Sequence, residues 1–509
     1  MRPAAGTPRP PGPAAPELAT PWPWVPPLAA AAAAGLVFHR ALTFYFSQDD
    51  FLGLARASGL APRLTGAWRY LSHQAFFDLM RRVAGLDAGP YHAASLAVHA
   101  AGAALLARFL ARVVSRPAAL LGAVFFAVHP SHFGSVYWIS AIGDELALLG
   151  ALAALLLALD GGRRGWTALP VFALSLLAKE STLLLPAAVA LAARPLRSRV
   201  PRGLLAGLAA LALVHLATLT AGDAFGVRRG LPGEAAYATG LGGHVLANAL
   251  TYLGWTADFL LPTVTGFSNV VDRSVQPWGV GLAIAWLAGL GFRALRERGW
   301  VAAGASFALF LLPVLPLRHH TYHYYLTAPL LGAAWGVAAA ADWALARRGT
   351  RVAWGIAGAL ALLLTLNGAL LVRRIETMPF VLPGLRDEAI VDRARIARNV
   401  RDGIAAALPV TGDTLVFWSP LAASLGARGE PLAARAPQET YWERNLRDAL
   451  LDGLAVRVMF PDVAAVAFTR EFRPTGAATR YAVYRPDGWV RVATSAEVES
   501  AIRAGQLGH

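Results

Sequence analysis

Two neighbouring carboxylates in the segment "FSQDDFLG" are candidates for acid–base chemistry. Asp49 and Asp50 follow the aromatic stretch "LTFYF", at the end of the first apolar run of the chain. One of them could be the general base for an incoming hydroxyl group, with the other as a metal ligand or an orienting group. A solvated acidic cap that ends a helix accounts for the same two residues without chemistry.

A second candidate segment is "VHPSHFGSVYWISAIGDELALL", which contains His129, His132 and Asp144. A metal site fits the His-x-x-His spacing badly, because no third ligand follows at a nearby position. We therefore assign no metal ligands. The histidines could contact a substrate together with Asp144, or they could hydrogen-bond the backbone that Pro130 leaves open.

The segment "LLAKES" contains the only lysine of a chain in which Lys and Arg total 46. Lys179 and Glu180 interrupt an apolar run, and ionisable residues are costly to bury in hydrocarbon, so such residues are candidates for function. Lys179 could bind a phosphate as a compact cation on a flexible stem. A structural pair in which the two charges neutralise each other is the alternative.

The fourth candidate segment, "RHHTYHYYL", is rich in cationic and aromatic groups. It contains Arg318, His319, His320, His323 and Tyr325. Arginine offers a bidentate fork to a phosphate and the histidines add donors, so the segment could recognise a phosphate group. An aromatic belt at a membrane interface is the alternative.

The elements that must position these residues are strongly apolar. Hydrophobic residues make up 56% of the chain and charged residues 15%, with a mean hydropathy of +0.47, whereas soluble domains carry about 25% charged residues. Apolar runs long enough to cross a bilayer recur over the first two thirds of the chain. The sequence predicts a polytopic α-helical membrane protein with about 9–12 membrane helices. The predicted single spans are 25–46, 91–114, 118–136, 138–159, 203–221, 278–295, 300–317, 324–345 and 352–372.

Arginine clusters between the runs predict the orientation. With the N-terminus in the cytoplasm, the clusters fall inside and the candidate segments outside. Residues 166–193 have basic segments on both sides, so we expect two short helices that turn at Lys179–Glu180. The segment 244–262 is expected along the outer interface.

The charge and the cysteine count narrow the function classes further. The net charge of +15 does not indicate nucleic-acid binding, which needs a basic stripe on a soluble face. The absence of cysteine excludes disulfides and thiol chemistry and fits either side of a membrane. A bacterial cytoplasmic membrane is the expected location.

Both ends of the chain differ from the apolar middle. Residues 1–24 are rich in Pro and Ala and are predicted to be disordered, before a membrane domain over 25–372. Residues 373–509 are predicted to form a small external α/β domain with its own core. In it, "VDRARIARNVRDGIAAAL" is typical of a helix, "DTLVFWS" and "LAVRVMF" of strands, and "YAVYRPDGWVRVA" of a hairpin with a Pro-Asp-Gly turn.

The order of these motifs resembles a family. An Asp-Asp pair after the first span, "HPSH" leading to "WIS" and an Asp, "LLAKES", and an Arg-led segment continuing into "YYLTAPLLGAAWG" resemble the GT-C fold glycosyltransferases. The resemblance is to the protein O-mannosyltransferase-like branch that includes the TPR-bearing transmembrane mannosyltransferases, and it covers about 45 to 345. No TPR array follows, Gly134 stands where the branch commonly has an acidic residue, and Ile142 where it often has arginine.

The resemblance implies a GT-C-like membrane domain and transfer of a sugar, with inversion, from a polyprenyl-phosphate donor to an acceptor hydroxyl on the outer face. The acceptor would be a glycan, a lipid or a protein. By position, Asp49 or Asp50 would be the base, with Asp50 preferred, and Lys179 and Arg318 would stabilise the departing phosphate. Expected substrate-binding residues are Lys179, Glu180, His129, His132, Asp144, Arg318, His319, His320, His323 and Tyr325.

Other functions remain open at this point. The cofactor is unknown, with a divalent cation as an alternative that the residues do not require. A transporter or flippase for a lipid-linked or anionic substrate would also place charges at membrane depth. A non-catalytic membrane scaffold would leave Lys179 and the Asp49–Asp50 pair without a role.

Overall fold

The computed structural model describes residues 22–220, 238–257, 271, 273–377, 389–407, 413–419, 445–469, 471–476, 479–485 and 489–504, and these residues are mostly helical. Most of the N-terminal tail, much of the 222–277 loop and the Pro-Asp-Gly turn lie outside the described residues.

Each predicted single span coincides with a described helix. The first seventeen helices, in chain order, are α1 (Val25–Phe38), α2 (Asp50–Ala57), α3 (Phe76–Ala84), α4 (Ala88–Val113), α5 (Arg116–Ala127), α6 (Phe133–Tyr137), α7 (Ile142–Asp160), α8 (Gly162–Gly165), α9 (Ala168–Ala178), α10 (Leu185–Ala193), α11 (Arg202–Thr220), α12 (Gly243–Ala257), α13 (Gln276–Gly289), α14 (Arg293–Glu297), α15 (Trp300–Leu311), α16 (Leu330–Leu345) and α17 (Thr350–Thr377). Short 3₁₀ turns cover His39–Thr43, Pro130–His132, Ile139–Ala141, Glu180–Thr182 and His323–Leu326, and a π-helical turn covers Leu71–Ala75.

Four of the described helices are long and apolar enough to cross a membrane. They are α1 with its 3₁₀ extension, α4, α7 with the preceding turn, and α17. A fifth span is formed if α5 and the helical segment after it, which are bent by 42°, are counted together. The remaining apolar helices are shorter because prolines end or begin them: Pro313 follows α15 and Pro329 precedes α16. The described chain is therefore compatible with a multi-pass membrane protein with four or five full-length spans.

The helices pack closely around α5. Every residue of α5 from Pro117 onward is buried, and α1, α4, α16 and α17 contact it. On the α16 side, a Cβ added at Gly122 would lie 2.5 Å from the carbonyl oxygen of Ala334. Only glycine allows this approach, which brings the two helix backbones together.

The segment around Lys179 turns back as predicted. Lys179 has an extended backbone (φ −166°) between α9 and α10. Ser175 Oγ of α9 donates to the Ala147 carbonyl near the start of α7 (2.6 Å). Ser198 Oγ, which follows α10, donates to the Leu159 carbonyl near the end of α7 (2.7 Å). Both basic flanking segments therefore lie at the C-terminal end of α7, and the turn lies at its N-terminal end.

The C-terminal part contains a four-stranded mixed sheet. Strands β1 (Thr414–Trp418), β2 (Ala465–Thr469), β3 (Thr479–Tyr484) and β4 (Val490–Thr494) lie in the order β2-β1-β3-β4. β1 is parallel to β2 and β3, and β3 is antiparallel to β4. The helices are α18 (Ala389–Ala405), α19 (Leu454–Met459) and α20 (Ser495–Arg503). The predictions of α18, β1 and the β3–β4 pairing are confirmed.

The predicted strand "LAVRVMF" is wrong, because these residues form α19. The helix follows Gly453, whose φ of +90° is easy only for glycine. Ala455 and Val456 are both buried, whereas neighbouring residues of a strand point to opposite faces. The partner of β1 on this side is β2, which the sequence pattern did not predict.

One face of this sheet shares its core with the segment between α1 and α4. Leu415 and Phe417 of β1 belong to the same buried cluster as Phe46 and Phe51. A polar contact reinforces the junction, since Arg393 of α18 donates to Gln48 Oε1 (2.7 Å). The C-terminal part therefore holds the chain beside Asp49 and Asp50. The prediction that this part has its own core is wrong for this face of the sheet, which shares a core with the segment between α1 and α4.

Candidate functional site

Asp50 is a buried carboxylate with both oxygens engaged. Oδ2 accepts from the backbone N–H of Ser47 (2.9 Å) and Oδ1 from that of Ser140 (2.7 Å), and the side chain is buried. Burial raises the pKa of Asp50 to about 7, against the opposing effect of these hydrogen bonds. Asp50 thus ties the start of α2 to the turn before α7.

Asp49 has a different environment. Its side chain is exposed, yet protein surrounds it closely enough that desolvation raises its pKa, while the charges of Arg393, Arg56 and Arg69 act in the opposite direction. An accessible carboxylate on which three arginine charges act is suited to meet a substrate. Of the two aspartates, Asp49 is the one that solvent reaches.

Lys179 pairs with Asp144 and not with its neighbour Glu180. The Lys179 Nζ lies 2.5 Å from Asp144 Oδ2, and both residues are buried. Asp144 reaches this position from the first turn of α7. Lys179 and Glu180 therefore do not form an ion pair with each other, and each pairs with a residue of another element.

Glu180 is paired with Arg69, a residue of the loop before α3. Arg69 Nε donates to Glu180 Oε2 (3.1 Å), and Arg69 Nη2 donates to Oε1. Both side chains are partly exposed. We refer to Arg69, Asp144, Lys179 and Glu180 as the ion-pair cluster. It has two cations and two carboxylates, and Arg69 was not predicted.

A glycine allows the parts of the ion-pair cluster to meet. A Cβ at Gly143 would lie 3.0 Å from Ser72 Oγ and 3.1 Å from the carbonyl oxygen of Ala178. Ser72 Oγ donates to that carbonyl (2.7 Å). The loop that carries Arg69 is therefore fastened to the end of α9 directly over the start of α7.

An aromatic surface adjoins Lys179. Its Nζ lies 5.3 Å from the ring centroid of Tyr324 and 5.7 Å from that of Tyr325, both within the range of a cation–π contact. The rings of His320 and Tyr325 are 5.9 Å apart. The structure thus brings Tyr325 and His320 to the cluster, together with Tyr324, which was not predicted.

Other predicted residues of the same segment lie elsewhere. Arg318 and His319 are exposed, and the Arg318 guanidinium lies against Gly240. Among the described residues, no hydrogen bond joins Arg318 to the ion-pair cluster. His323 stacks on Trp255, with ring centroids 3.8 Å apart.

The two histidines of "HPSH" have separate partners. His129 Nδ1 accepts from the Ser131 N–H (3.2 Å) and its Nε2 lies 3.3 Å from the Thr256 carbonyl oxygen, so it hydrogen-bonds the backbone as the alternative interpretation expected. His132 instead lies with Glu145 and His99. We refer to His99, His132 and Glu145 as the histidine cluster.

Three residues of these clusters, and the neighbouring Tyr324, were not predicted from the sequence. His99 and Glu145 are ionisable residues within apolar runs, and that signal could have identified them. Tyr324 belonged to a segment already selected. Arg69 lies in a loop without periodicity, and its partner is more than 100 positions away, so no local pattern indicates it.

The geometry combines an accessible carboxylate, two cations and an aromatic surface. Lys179 and Arg69 can bind an anion, Asp49 can accept a proton, and Tyr324 and Tyr325 can pack against an apolar face. Comparisons of the sequence with protein-family models and with curated proteins found no match.

Proposed function

We propose that this chain is a membrane glycosyltransferase that transfers a sugar from a polyprenyl-phosphate donor to an acceptor hydroxyl. The observation that carries the proposal is the accessible carboxylate of Asp49, whose pKa the charge of Arg69 lowers, together with the Arg69–Glu180 and Lys179–Asp144 pairs. The apolar helices long enough to span a bilayer support the use of a lipid-linked donor.

In the proposed reaction Asp49 accepts the proton of the acceptor hydroxyl. The acceptor oxygen attacks the anomeric carbon from the side opposite the phosphate and forms the new glycosidic bond. The bond between the anomeric carbon and the phosphate oxygen breaks, and its electron pair leaves on the polyprenyl phosphate. The configuration at the anomeric carbon inverts. Asp50, with both oxygens on backbone N–H groups, is a positioning residue that fixes the start of α2.

Lys179 and Arg69 would stabilise the charge that develops on the departing phosphate. An ammonium has three donors and a guanidinium five. In the ion-pair cluster Lys179 directs one of them to Asp144, and Arg69 directs two to Glu180. The remaining donor capacity supports binding of a phosphate while the carboxylates hold the cations in position. In this proposal Arg69 takes the role that the family resemblance implied for Arg318.

The arginine-rich connections support an orientation with the N-terminus in the cytoplasm of a bacterial cell and the ion-pair cluster near the outer face. The turn at Lys179 and the start of α7 lie at one end of the bundle, and the arginine segments around α8 lie at the other. The C-terminal sheet, joined to the Asp49 segment through Arg393, would lie on the acceptor side.

The test uses the purified chain in lipid nanodiscs with a panel of radiolabelled polyprenyl-phosphate hexoses and pentoses, and measures release of sugar to water or to added acceptors. We expect turnover by the wild type and a loss of about 10²–10⁴-fold for Asp49→Asn, the range for removing a general base.

Asp160→Asn is the matched control, because this carboxylate lies at the other end of α7 in an exposed pair with Arg112. It should keep wild-type turnover. Full activity of Asp49→Asn would contradict the assignment of the base. In sealed proteoliposomes, translocation of the donor across the bilayer without any sugar release would favour the flippase.

A further inference from the structure

The histidine cluster brings together three metal-ligating side chains from three elements. His99 comes from α4, His132 from the 3₁₀ turn after α5, and Glu145 from the first turn of α7. All three are almost completely buried. One ligand-type atom from each lies within 4.8 Å of the other two.

Two of the separations between these groups are close to those between neighbouring ligands of a small cation. His99 Nδ1 lies 3.1 Å from Glu145 Oε2, and His132 Nδ1 lies 3.2 Å from Glu145 Oε1. In a tetrahedral site with bonds of about 2.0–2.1 Å, neighbouring ligand atoms are about 3.3 Å apart. An ion could therefore sit between these three groups with small side-chain adjustments.

The surroundings provide the outer contacts that metal ligands usually have. His99 Nε2 donates to the Ala127 carbonyl (2.9 Å), because a carbonyl oxygen can only accept. This leaves Nδ1 as the nitrogen that can bind a metal. Without a metal it donates to Glu145 Oε2, so metal binding would displace this proton. Ser135 Oγ donates to Glu145 Oε1 (2.5 Å) and orients the carboxylate. Such partners fix the orientation of ligands in metal sites.

We propose that His99, His132 and Glu145 bind a divalent transition-metal ion of the zinc class, with water as the fourth ligand. Imidazole and carboxylate ligands suit such ions. The ion would join α4, the "HPSH" turn and α7, and it would fix the start of α7 from which Asp144 reaches Lys179. This inference does not depend on the proposed transfer reaction.

The test measures zinc bound to the full chain, purified without a polyhistidine tag, stripped with a chelator, exposed to zinc sulfate and separated from free ion by gel filtration. We expect about one zinc per chain for the wild type. The double variant His99→Ala/His132→Ala should bind at most about one tenth of the zinc that the wild type binds. His129→Ala is the matched control, because this buried histidine lies three residues from His132 and its ring nitrogens lie against backbone groups of Ser131 and Thr256. It should bind zinc like the wild type.

A second measurement covers the case in which the double variant does not fold. Cobalt added to the stripped wild type should give the visible absorption of a four-coordinate site, and His132→Cys should keep cobalt binding with a new thiolate band. Zinc binding by the wild type no greater than that of a folded double variant would overturn the proposal. A cobalt spectrum equal to that of the free aqueous ion would overturn it as well.

Discussion

Two pairs of adjacent carboxylates, one at the start of α2 and one at the start of α7, divide their tasks differently. At α2, Asp49 is exposed and Asp50 is buried against backbone N–H groups. At α7, both members are buried, and Asp144 faces Lys179 while Glu145 faces His99 and His132. Adjacent residues on a helix point about 100° apart. Two acids side by side in sequence therefore belong to two environments.

The difference also separates what each region can do. The α2 pair combines one accessible group with one structural anchor, which suits a reaction with a substrate. The α7 pair joins the buried Asp144–Lys179 ion pair on one side to the buried imidazoles of His99 and His132 on the other. The α7 region is therefore the more sensitive to the loss of a single charge, since a buried charge without its partner is costly.

The largest expected effect is on stability at α7. Lys179→Ala leaves the buried Asp144 carboxylate without its cation, and breaking a buried pair costs about 3–5 kcal/mol. Thermal unfolding in detergent should show a marked loss, and the added substitution Asp144→Asn should restore most of it.

Arg112→Ala is the control for this comparison, since Arg112 pairs with Asp160 near the surface and such pairs contribute about 0–1 kcal/mol. If Lys179→Ala were no more harmful than Arg112→Ala, the α7 pair would not be the buried, interdependent site described above.

An intermediate effect is expected at α2 and depends on pH. The pKa of Asp50 is raised to about 7 in the folded chain, above the unfolded value of about 3.9, so the folded state binds the proton more tightly. The contribution of Asp50 to stability is therefore largest at low pH and is lost as the pH rises towards 7. Between pH 5 and 8 the wild type should lose about 2 kcal/mol relative to Asp50→Asn.

Unfolding curves of the wild type and Asp50→Asn at several pH values measure this difference. Asp160→Asn serves as the control substitution and should run parallel to the wild type. A difference between wild type and Asp50→Asn that stays constant from pH 5 to 8 would show that burial does not raise the pKa of this group.

The smallest effect is expected for Glu180→Gln. Arg69 and Glu180 are about a quarter exposed, so water shields the loss, and we expect a cost of about 1 kcal/mol. The measurement is the same unfolding assay. A cost as large as that of Lys179→Ala would make the two ion pairs of the cluster equivalent and would remove the distinction between a buried and a partly exposed pair.

The sequence predicted the helices well because apolar length and periodicity are local signals. All nine predicted single spans coincide with helices, and the turn at Lys179 followed from basic segments on both sides of it. The strand assigned to "LAVRVMF" failed because a short apolar run fits a helix or a strand equally well, and the sheet partner decides between them.

The members of the candidate site were predicted only in part, and their pairing was not predicted. Asp144, Lys179, Glu180 and Tyr325 do converge, yet the partner of Glu180 is Arg69. Residues on either side of a helix break do not face each other, so sequence adjacency is a poor guide to partners. No third metal ligand follows His132 at a nearby position in the sequence, whereas in the structure His99 reaches it from another helix.

The helix break at Lys179 also sets an electric field. Lys179 caps the C-terminal end of α9, and Asp144 lies in the first turn of the antiparallel α7. The carbonyl end of a helix is partially negative and the amide end partially positive, each worth about 0.3–1 kcal/mol to a nearby charge. The carbonyl end of α9 therefore stabilises the positive charge of Lys179, and the amide end of α7 stabilises the negative charge of Asp144, before any ligand binds. An anion drawn to Lys179 is opposed on the α9 side and favoured on the α7 side, so the backbone itself gives an approaching anion a preferred direction.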